Sequence, residues 1–276
     1  MLSVGDIVKK VQPSLFWCMR GIERSKREAI YTLFAFCRHL DNIVRSSMPL
    51  AEKMELLSAW QEELDNIYDK KVPATNIGRK IYKNCIRFDL PKDAWMAILQ
   101  SAMTNVESPL SAPDIQTFDE YLQGAGIVPL RLALSVLSNS HPSANNELAR
   151  YLGRAVVLTY ILRDIKGDAK SGRFYIPNTV LEMAHVNKDE PRMMIEDKNL
   201  YRAREILSEQ AEKSFVNADR LLSKMSKRDV MPLRLIKNVC RCQFDMMKKR
   251  GWEIISPKPK INLMKSLDIM YQTMFK

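Results

Sequence analysis

Prolines divide this sequence into long stretches whose apolar residues recur with the period of an α-helix. The segment from 24 to 46 is the strongest example. Its apolar stripe consists of Ile30, Leu33, Phe34, Cys37 and Leu40. Alternating runs of β-branched residues, which are typical of strands, are few, and the chain has only 9 glycines. Since 46% of its 276 residues are hydrophobic, the chain can bury a substantial core. The pattern therefore predicts an all-α fold.

The prolines and the periodicity also predict where the helices lie. The opening helix at 3–20 is expected to be interrupted at Pro13, and a kink is expected at Pro129. The other predicted helices cover 24–46, 50–69, 76–87, a segment that starts at 89–95, 115–138, 145–169, 177–184, 199–225, 230–250 and 263 to the C-terminus. Gly172 is expected to end the helix over 145–169. No repeat or low-complexity linker divides the chain, so we expect one helical domain over 1–276.

The charge of the chain favours anionic partners. It has 43 lysines and arginines against 32 aspartates and glutamates, a net charge of +11. Such a balance suits nucleic acid, acidic lipid surfaces or polyphosphate substrates. The basic residues are scattered and no nucleic-acid-binding motif stands out, so nucleic acid is not an expected partner.

Several features predict a cytoplasmic protein. No apolar run reaches the roughly 18 residues of a membrane span, and the N-terminal letters MLSVGDIVKKV lack the apolar core of a signal peptide. The 5 cysteines are odd in number and most lie in apolar helical stretches, which indicates reduced thiols. A long-chain lipid substrate could still hold the protein at a membrane surface, so peripheral membrane contact stays open.

The segment LTYILRDIKGDAKSGRFYIP, residues 158–177, carries the most specific chemical signal. Asp164 and Asp168 lie one helical turn apart, so their carboxylates share a face. Such a pair suits Mg²⁺, which binds one or two carboxylates together with phosphate oxygens. Arg163 and Arg173 could bind the same phosphates with forked donors. Two acids at this spacing, taken alone, are more often a solvated helix face.

A second segment could face the first across a cavity. Residues 34–46 contain Arg38 and Asp41 one turn apart, but the position one turn after Asp41 is Arg45 rather than an acid. Arg45 could form an ion pair with Asp41 on a face that binds no metal. It could instead reach a substrate diphosphate in place of a Mg²⁺ ion, or the helix could be rotated locally.

These segments resemble those of the squalene/phytoene synthase family, whose members join two prenyl diphosphates head to head. REAIYTLFAFCRHLDNIVR resembles the first aspartate-rich helix of the family, and LGRAVVLTYILRDIKGDAKSGRFYIP resembles the second. The ending RGWEIISPKPKINLMKSL is also similar, so the resemblance covers nearly the whole chain.

The resemblance implies an all-α isoprenoid-synthase fold around a central cavity. Its substrates would be farnesyl or geranylgeranyl diphosphate, and its product would be of the presqualene or phytoene type. In the family, Mg²⁺ held by two aspartate motifs binds the diphosphates, and a dry cavity protects the allylic cation. Some members then rearrange the product, with or without reduction by NADPH. The sequence leaves the use of NADPH, the chain length of the substrate and the oligomeric state open.

Matching positions imply roles residue by residue. Asp41, Asp164 and Asp168 match the acidic residues that bind metal and take part in catalysis. The residues expected to bind the substrate diphosphate are Ser14, Arg38, Arg163, Arg173 and Tyr121. Arg173 is included for its place in the exit loop, whereas the other four match family positions.

Several positions depart from the family pattern. The departures are Arg45 for an acid, Val157 for glutamine, Tyr160 for asparagine and Cys240 for tyrosine. Each removes a polar group from a site that must handle charge. Two functions therefore remain open: a Mg²⁺-dependent head-to-head prenyltransferase, and a catalytically impaired member of the family that acts as a binding or assembly factor. The complete second motif favours the enzyme.

Overall fold

Helices make up the regular structure of the chain. The computed structural model describes residues 3–138, 140–187 and 190–275, without the side chains of Ser14, Cys18, Arg228 and Phe275. The α-helices are α1 (Val4–Val11), α2 (Pro13–Cys18), α3 (Arg24–Arg45), α4 (Leu50–Tyr68), α5 (Asn76–Phe88), α6 (Lys92–Glu107), α7 (Ile115–Leu122), α8 (Val128–Leu137), α9 (Pro142–Lys170), α10 (Asn178–Met183), α11 (Pro191–Met194), α12 (Leu200–Leu222), α13 (Lys227–Arg250) and α14 (Leu263–Phe275). The all-α prediction is confirmed.

Local capping explains several helix boundaries. The Thr75 hydroxyl accepts a hydrogen bond from the Gly78 amide at 2.8 Å and starts α5. The Asp114 carboxylate likewise accepts from the Thr117 amide at 2.8 Å and starts α7. At the other end of α9, Gly172 has φ +72°, a left-handed conformation that glycine adopts at little cost. The predicted end of that helix at Gly172 is therefore confirmed.

The helix predicted over 115–138 is two helices joined by a π-helical turn, Gln123–Ile127. Pro129 lies in the first turn of α8, where proline is well tolerated, so the break precedes the residue expected to cause it. A Cβ atom on Gly126 would lie 2.5 Å from Val157 Cγ2 and 2.8 Å from the Gly153 carbonyl oxygen. The turn therefore sits directly on α9, and glycine permits that approach.

The longest helix, α9, is the centre of the packing. It lies against α8, α12, α13 and the π-helical turn, while α3 packs against α1, α5 and α8. Because α8 contacts both α3 and α9, it fixes the two helices that carry the predicted acidic motifs. In α3 the Phe36 ring is fully buried and meets Trp60 and Trp95 edge to face at 5.2 and 5.4 Å.

No helix in the described ranges has both the length and the apolar character needed to cross a bilayer.

Candidate active site

The C-terminal ends of α3 and α9 bring the predicted acidic residues together. Arg45, the last residue of α3, donates from Nε to Asp41 Oδ1 at 2.7 Å. The same guanidinium donates from Nη1 to Asp168 Oδ1 on α9. Asp41 also accepts from Arg38 Nη1 at 2.9 Å. A continuous chain of ion pairs thus runs from one predicted motif to the other.

Arg45 therefore does more than pair along its own helix. Of the three possibilities for Arg45, the structure shows the ion pair with Asp41. The second pair, to Asp168, joins residues 123 positions apart, so helical spacing could not reveal it. Arg45 reaches Asp168 because it lies on the face of α3 that is turned towards α9.

Asp168 is the buried member of this chain of ion pairs, with 3% of its surface exposed. Burial raises the pKa of the Asp168 carboxyl above its usual value, and the charge of Arg45 opposes that rise. Burial would lower the pKa of Arg45, but the charges of Asp168 and Asp41 outweigh burial and raise it. Arg45 is thus a fixed positive charge that compensates a carboxylate withdrawn from water.

Asp164 is held by a different pair of cations. It accepts two hydrogen bonds from Arg163, from Nη2 at 2.7 Å and from Nε at 3.1 Å. Lys258 Nζ, from the segment between α13 and α14, donates to Asp164 Oδ1 at 2.7 Å. Burial would raise the pKa of Asp164, but Arg163 and Lys258 outweigh it and lower the pKa. Lys258 is one of several lysines near the C-terminus, and nothing in the sequence distinguishes it from Lys260 or Lys265.

We call Asp41, Asp164 and Asp168 the acidic cluster. Four cationic side chains contact its three carboxylates: Arg38, Arg45, Arg163 and Lys258. Within the ranges that the structure describes, no three His, Cys, Asp or Glu side chains are placed to hold a metal ion. In this arrangement the donor set does not fit a Mg²⁺ cluster, because Arg45 already lies between Asp41 and Asp168.

Among the described residues, the Arg173 guanidinium forms no hydrogen bond with the acidic cluster. It is 6% exposed and donates from Nε to Asn105 Oδ1 at 3.3 Å and from Nη2 to the Val44 carbonyl oxygen at 3.0 Å. Asn105 in turn donates to the Tyr175 hydroxyl at 3.0 Å. Arg163 and Arg173 therefore have different partners, Asp164 for the first and Asn105 and Val44 for the second. Asn105 and its network carried no signal in the sequence.

Two more residues of the predicted diphosphate site have different outcomes. Tyr121 stacks on Tyr175 with ring centroids 4.7 Å apart, and burial raises the pKa of its hydroxyl. The stacked pair is a packing contact beside the acidic cluster. Ser14 lies on α2, but its side chain is outside the part of the chain that the structure describes.

Sequence comparison identifies the family of this chain. A family model described as squalene/phytoene synthase matches residues 8–265. The chain belongs to the squalene/phytoene synthase family. A presqualene diphosphate synthase of Rhodopseudomonas palustris is 29% identical over 258 residues, which cover 93% of this chain and 90% of that protein. Another, from Sinorhizobium fredii, is 29% identical over 87% of this chain and 85% of that protein.

Solved structures support the same fold. A dehydrosqualene synthase solved with a ligand superposes with a TM-score of 0.83 at 20% identity, over 98% of this chain and 94% of that one. A squalene synthase from Alicyclobacillus acidocaldarius gives a TM-score of 0.78 at 18% identity, over 90% of this chain and 93% of that one. At these identities the match establishes the single-domain helical architecture.

Three of the four departures from the family pattern, Val157, Tyr160 and Cys240, are packed and uncharged, whereas Arg45 carries a charge. Tyr160 lies between the Arg163 guanidinium, 4.4 Å from its ring centroid, and Cys240, whose Sγ is 3.6 Å from the Tyr160 hydroxyl. Burial raises the pKa of the Cys240 thiol to about 11, so it stays neutral. Val157 is buried against Gly126. The side chains of Tyr160 and Cys240 beside Arg163 are therefore neutral. The charges of the site belong to the acidic cluster and to the four cationic side chains that contact it.

Proposed function

We propose that this chain is a prenyltransferase that joins two farnesyl or geranylgeranyl diphosphates head to head, giving a presqualene- or phytoene-type product. The match to two presqualene diphosphate synthases over most of both chains supports this choice. The observation that carries it is the meeting of the α3 and α9 motifs, with cationic side chains around the acidic cluster. Arg38 and Lys258 keep 43% and 50% of their side chains exposed, so both can still reach a substrate.

The proposed chemistry requires charge stabilisation on the leaving group. When the C–O bond of one allylic diphosphate breaks, the electron pair leaves with the diphosphate and an allylic cation remains. Arg38, Arg163 and Lys258 are fixed positive charges at the place where that negative charge would develop. Their hydrogen bonds to the acidic cluster hold them in position before the substrate arrives.

Magnesium dependence is a separate part of the proposal. A Mg²⁺ ion on Asp164 would require Lys258 to leave that carboxylate, which its half-exposed side chain permits. A Mg²⁺ ion between Asp41 and Asp168 would require Arg45 to leave both. When bound, the metal would add charge neutralisation for diphosphate.

A second candidate is a family member without catalysis that serves as a binding or assembly factor. The ion pairs of Arg45 favour it, because they occupy two of the three carboxylates that the family pattern assigns to metal. The contact between Tyr160 and Cys240 favours it too, since neither position keeps the polar group of the family pattern.

A product assay separates these two functions. We expect purified protein and labelled farnesyl diphosphate to yield an apolar C30 product or its diphosphate precursor, measured with and without Mg²⁺. Lys258→Gln should lower kcat about 100-fold, the scale of losing one preorganised stabilising group. Lys249→Gln, an exposed lysine on α13, is the matched control and should retain activity. Tight binding of a non-ionisable farnesyl thiodiphosphate without any turnover would instead support the non-catalytic function.

A further inference from the structure

A cavity of about 400 Å³ has Arg45 in its wall, and Asp41 is not among its lining residues. Its wall contains three cationic side chains, Arg45, Lys53 and Arg173. The remaining lining residues are Ser46, Ser47, Leu50, Val106, Pro109 and Ser171. None of the lining residues is acidic. The cavity is open to solvent and much larger than the space of a single water molecule.

Two of the cations converge on one atom. Lys53 Nζ donates to the Val44 carbonyl oxygen at 3.1 Å, and Arg173 Nη2 donates to the same oxygen at 3.0 Å. The two positive charges are therefore neighbours. Burial lowers the pKa of Lys53, and the charge of Arg173 lowers it further. Like charges held this close repel each other unless an anion lies between them.

The protein supplies no such anion to these two residues. Among the described residues neither Lys53 nor Arg173 forms an ion pair with a carboxylate, and the partners of Arg173 are a neutral amide and a carbonyl. Asp168 is close, but its charge is compensated by Arg45. Arg173 is buried, with 6% of its surface exposed. A buried arginine in the wall of a cavity without a counter-ion is costly unless a ligand provides one.

We propose that this cavity is a binding site for a phosphate or diphosphate group, separate from the acidic cluster. The forked guanidinium of Arg173 and the ammonium of Lys53 together match the oxygens of such a group. The amides in the first turn of α4 begin at the same wall, at Leu50, and no side chain caps them. This inference goes beyond the proposed condensation, because it needs neither turnover nor a metal.

The test is calorimetric titration of inorganic diphosphate and of inorganic phosphate into the full chain, at constant ionic strength and with EDTA. We expect diphosphate to bind and Lys53→Gln to weaken binding at least about tenfold, since charge-assisted hydrogen bonds are lost. Ser47→Asp should abolish binding by placing a carboxylate in the cavity, and should raise the Tm of the ligand-free protein. Lys249→Gln should bind diphosphate as the wild type does.

Two outcomes would overturn the proposal. One is no binding of either anion at millimolar concentration. The other is binding that Lys258→Gln abolishes while Lys53→Gln and Ser47→Asp leave it unchanged, which would place the anion at the acidic cluster. If diphosphate binding depends on Lys53 but the protein has no condensing activity, the anion site is supported and the proposed function is wrong. The two proposals can therefore be tested independently.

A competition experiment between farnesyl thiodiphosphate and inorganic diphosphate identifies the source of the phosphate group. If farnesyl thiodiphosphate displaces inorganic diphosphate from the wild type, the cavity accepts the headgroup of a prenyl ligand. If it does not, the cavity accepts free diphosphate or a smaller phosphate ester. Either result leaves the site in place, because both depend on Lys53 and Arg173.

Discussion

At the scale of single residues, Arg45 decides the electrostatics of the acidic cluster. It is the shared partner of Asp41, which is partly exposed, and of Asp168, which is buried. The exposed pair is worth little, because solvent screens it. The buried pair matters more, because a carboxylate without a partner in the interior carries its full desolvation cost.

Replacing Arg45 by methionine should therefore destabilise the protein in a pH-dependent way. We expect Arg45→Met to lower the free energy of unfolding at pH 7 by about 2 kcal/mol, less than for a wholly buried pair because 42% of the Arg45 side chain is exposed. The pKa of Asp168 already lies above that of an unfolded aspartate. Its ionisation thus costs stability as the pH rises through the folded-state value, and the variant raises that value further. Urea unfolding at pH 4 and pH 7 should show a smaller loss at pH 4.

Two further variants show whether the effect comes from the Asp168 charge. Adding Asp168→Asn to Arg45→Met should recover most of the stability at pH 7 and flatten the pH dependence. Arg24→Met removes a partner of Glu28 that is 84% exposed, and it should change stability by less than about 0.5 kcal/mol. A loss in Arg45→Met that is equal at both pH values, or that Asp168→Asn does not reduce, would contradict the electrostatic account.

At the scale of secondary structure, the contact of the π-helical turn with α9 positions the second acidic motif. Gly126 and Gly153 meet there so closely that neither has space for a side chain. Gly167, in the last turn of α9, is different: a Cβ atom there would meet only Lys258 Nζ, at 3.5 Å. Substitution by alanine should therefore change the free energy of unfolding in opposite directions at Gly126 and at Gly167.

We expect Gly126→Ala to lower the free energy of unfolding by about 2 kcal/mol or more, because the new methyl group overlaps the Gly153 backbone. Gly167→Ala should raise it by up to about 1 kcal/mol, because alanine favours the helix and the added atom has space. Thermal unfolding of both variants measures the two signs. If Gly126→Ala leaves the free energy of unfolding unchanged, the π-helical turn is not packed tightly against α9.

Helix positions could be predicted from the sequence, whereas the partners of the site residues could not. Proline positions and apolar periodicity depend on local geometry, so α3, α4 and α13 lie close to their predicted ranges. The contact of Lys258 with Asp164 spans 94 residues. It depends on where the segment after α13 returns to α9, which no local pattern encodes.

The break at Gln123–Ile127 has the same explanation. Pro129 predicts a helix break from local geometry, but the helix is interrupted earlier, where Gly126 packs closely against Gly153. That close approach is a requirement of tertiary packing. The sequence shows that Arg45 departs from the family pattern, and helical spacing makes an ion pair with Asp41 possible. Its bridge to Asp168 could be seen only once α3 and α9 were placed together.

At the scale of the whole molecule, the chain combines an excess of positive charge with an exposed apolar face on α14. Leu263, Leu267, Tyr271 and Met274 are each more than half exposed. Their spacing of four, four and three residues puts them on one stripe of the helix. The opposite side packs on α13, where Thr273 accepts a hydrogen bond from Asn238 and Ile269 is buried.

An anionic lipid surface is the occupant that the charge favours for this stripe. The net charge of the chain is +11, and the exposed Lys260 and Lys265 flank the start of α14. Apolar side chains would enter the interface while lysines contact headgroups, each worth about 1 kcal/mol near an anionic surface. We therefore expect the protein to cosediment with vesicles of phosphatidylglycerol and phosphatidylcholine, and to be released as salt screens the charge.

The apolar part of that binding can be separated from the electrostatic part. Leu263→Ser with Leu267→Ser should weaken vesicle binding at least about tenfold, because two leucine side chains no longer leave water. Ile86→Ser removes an apolar side chain from α5 that is 69% exposed, and it should leave binding unchanged. If the double variant binds vesicles as well as the wild type, charge alone attracts the protein and α14 has another role. If light scattering shows a dimer that the double variant lacks, a second copy of the chain covers the stripe, and the lipid prediction is wrong.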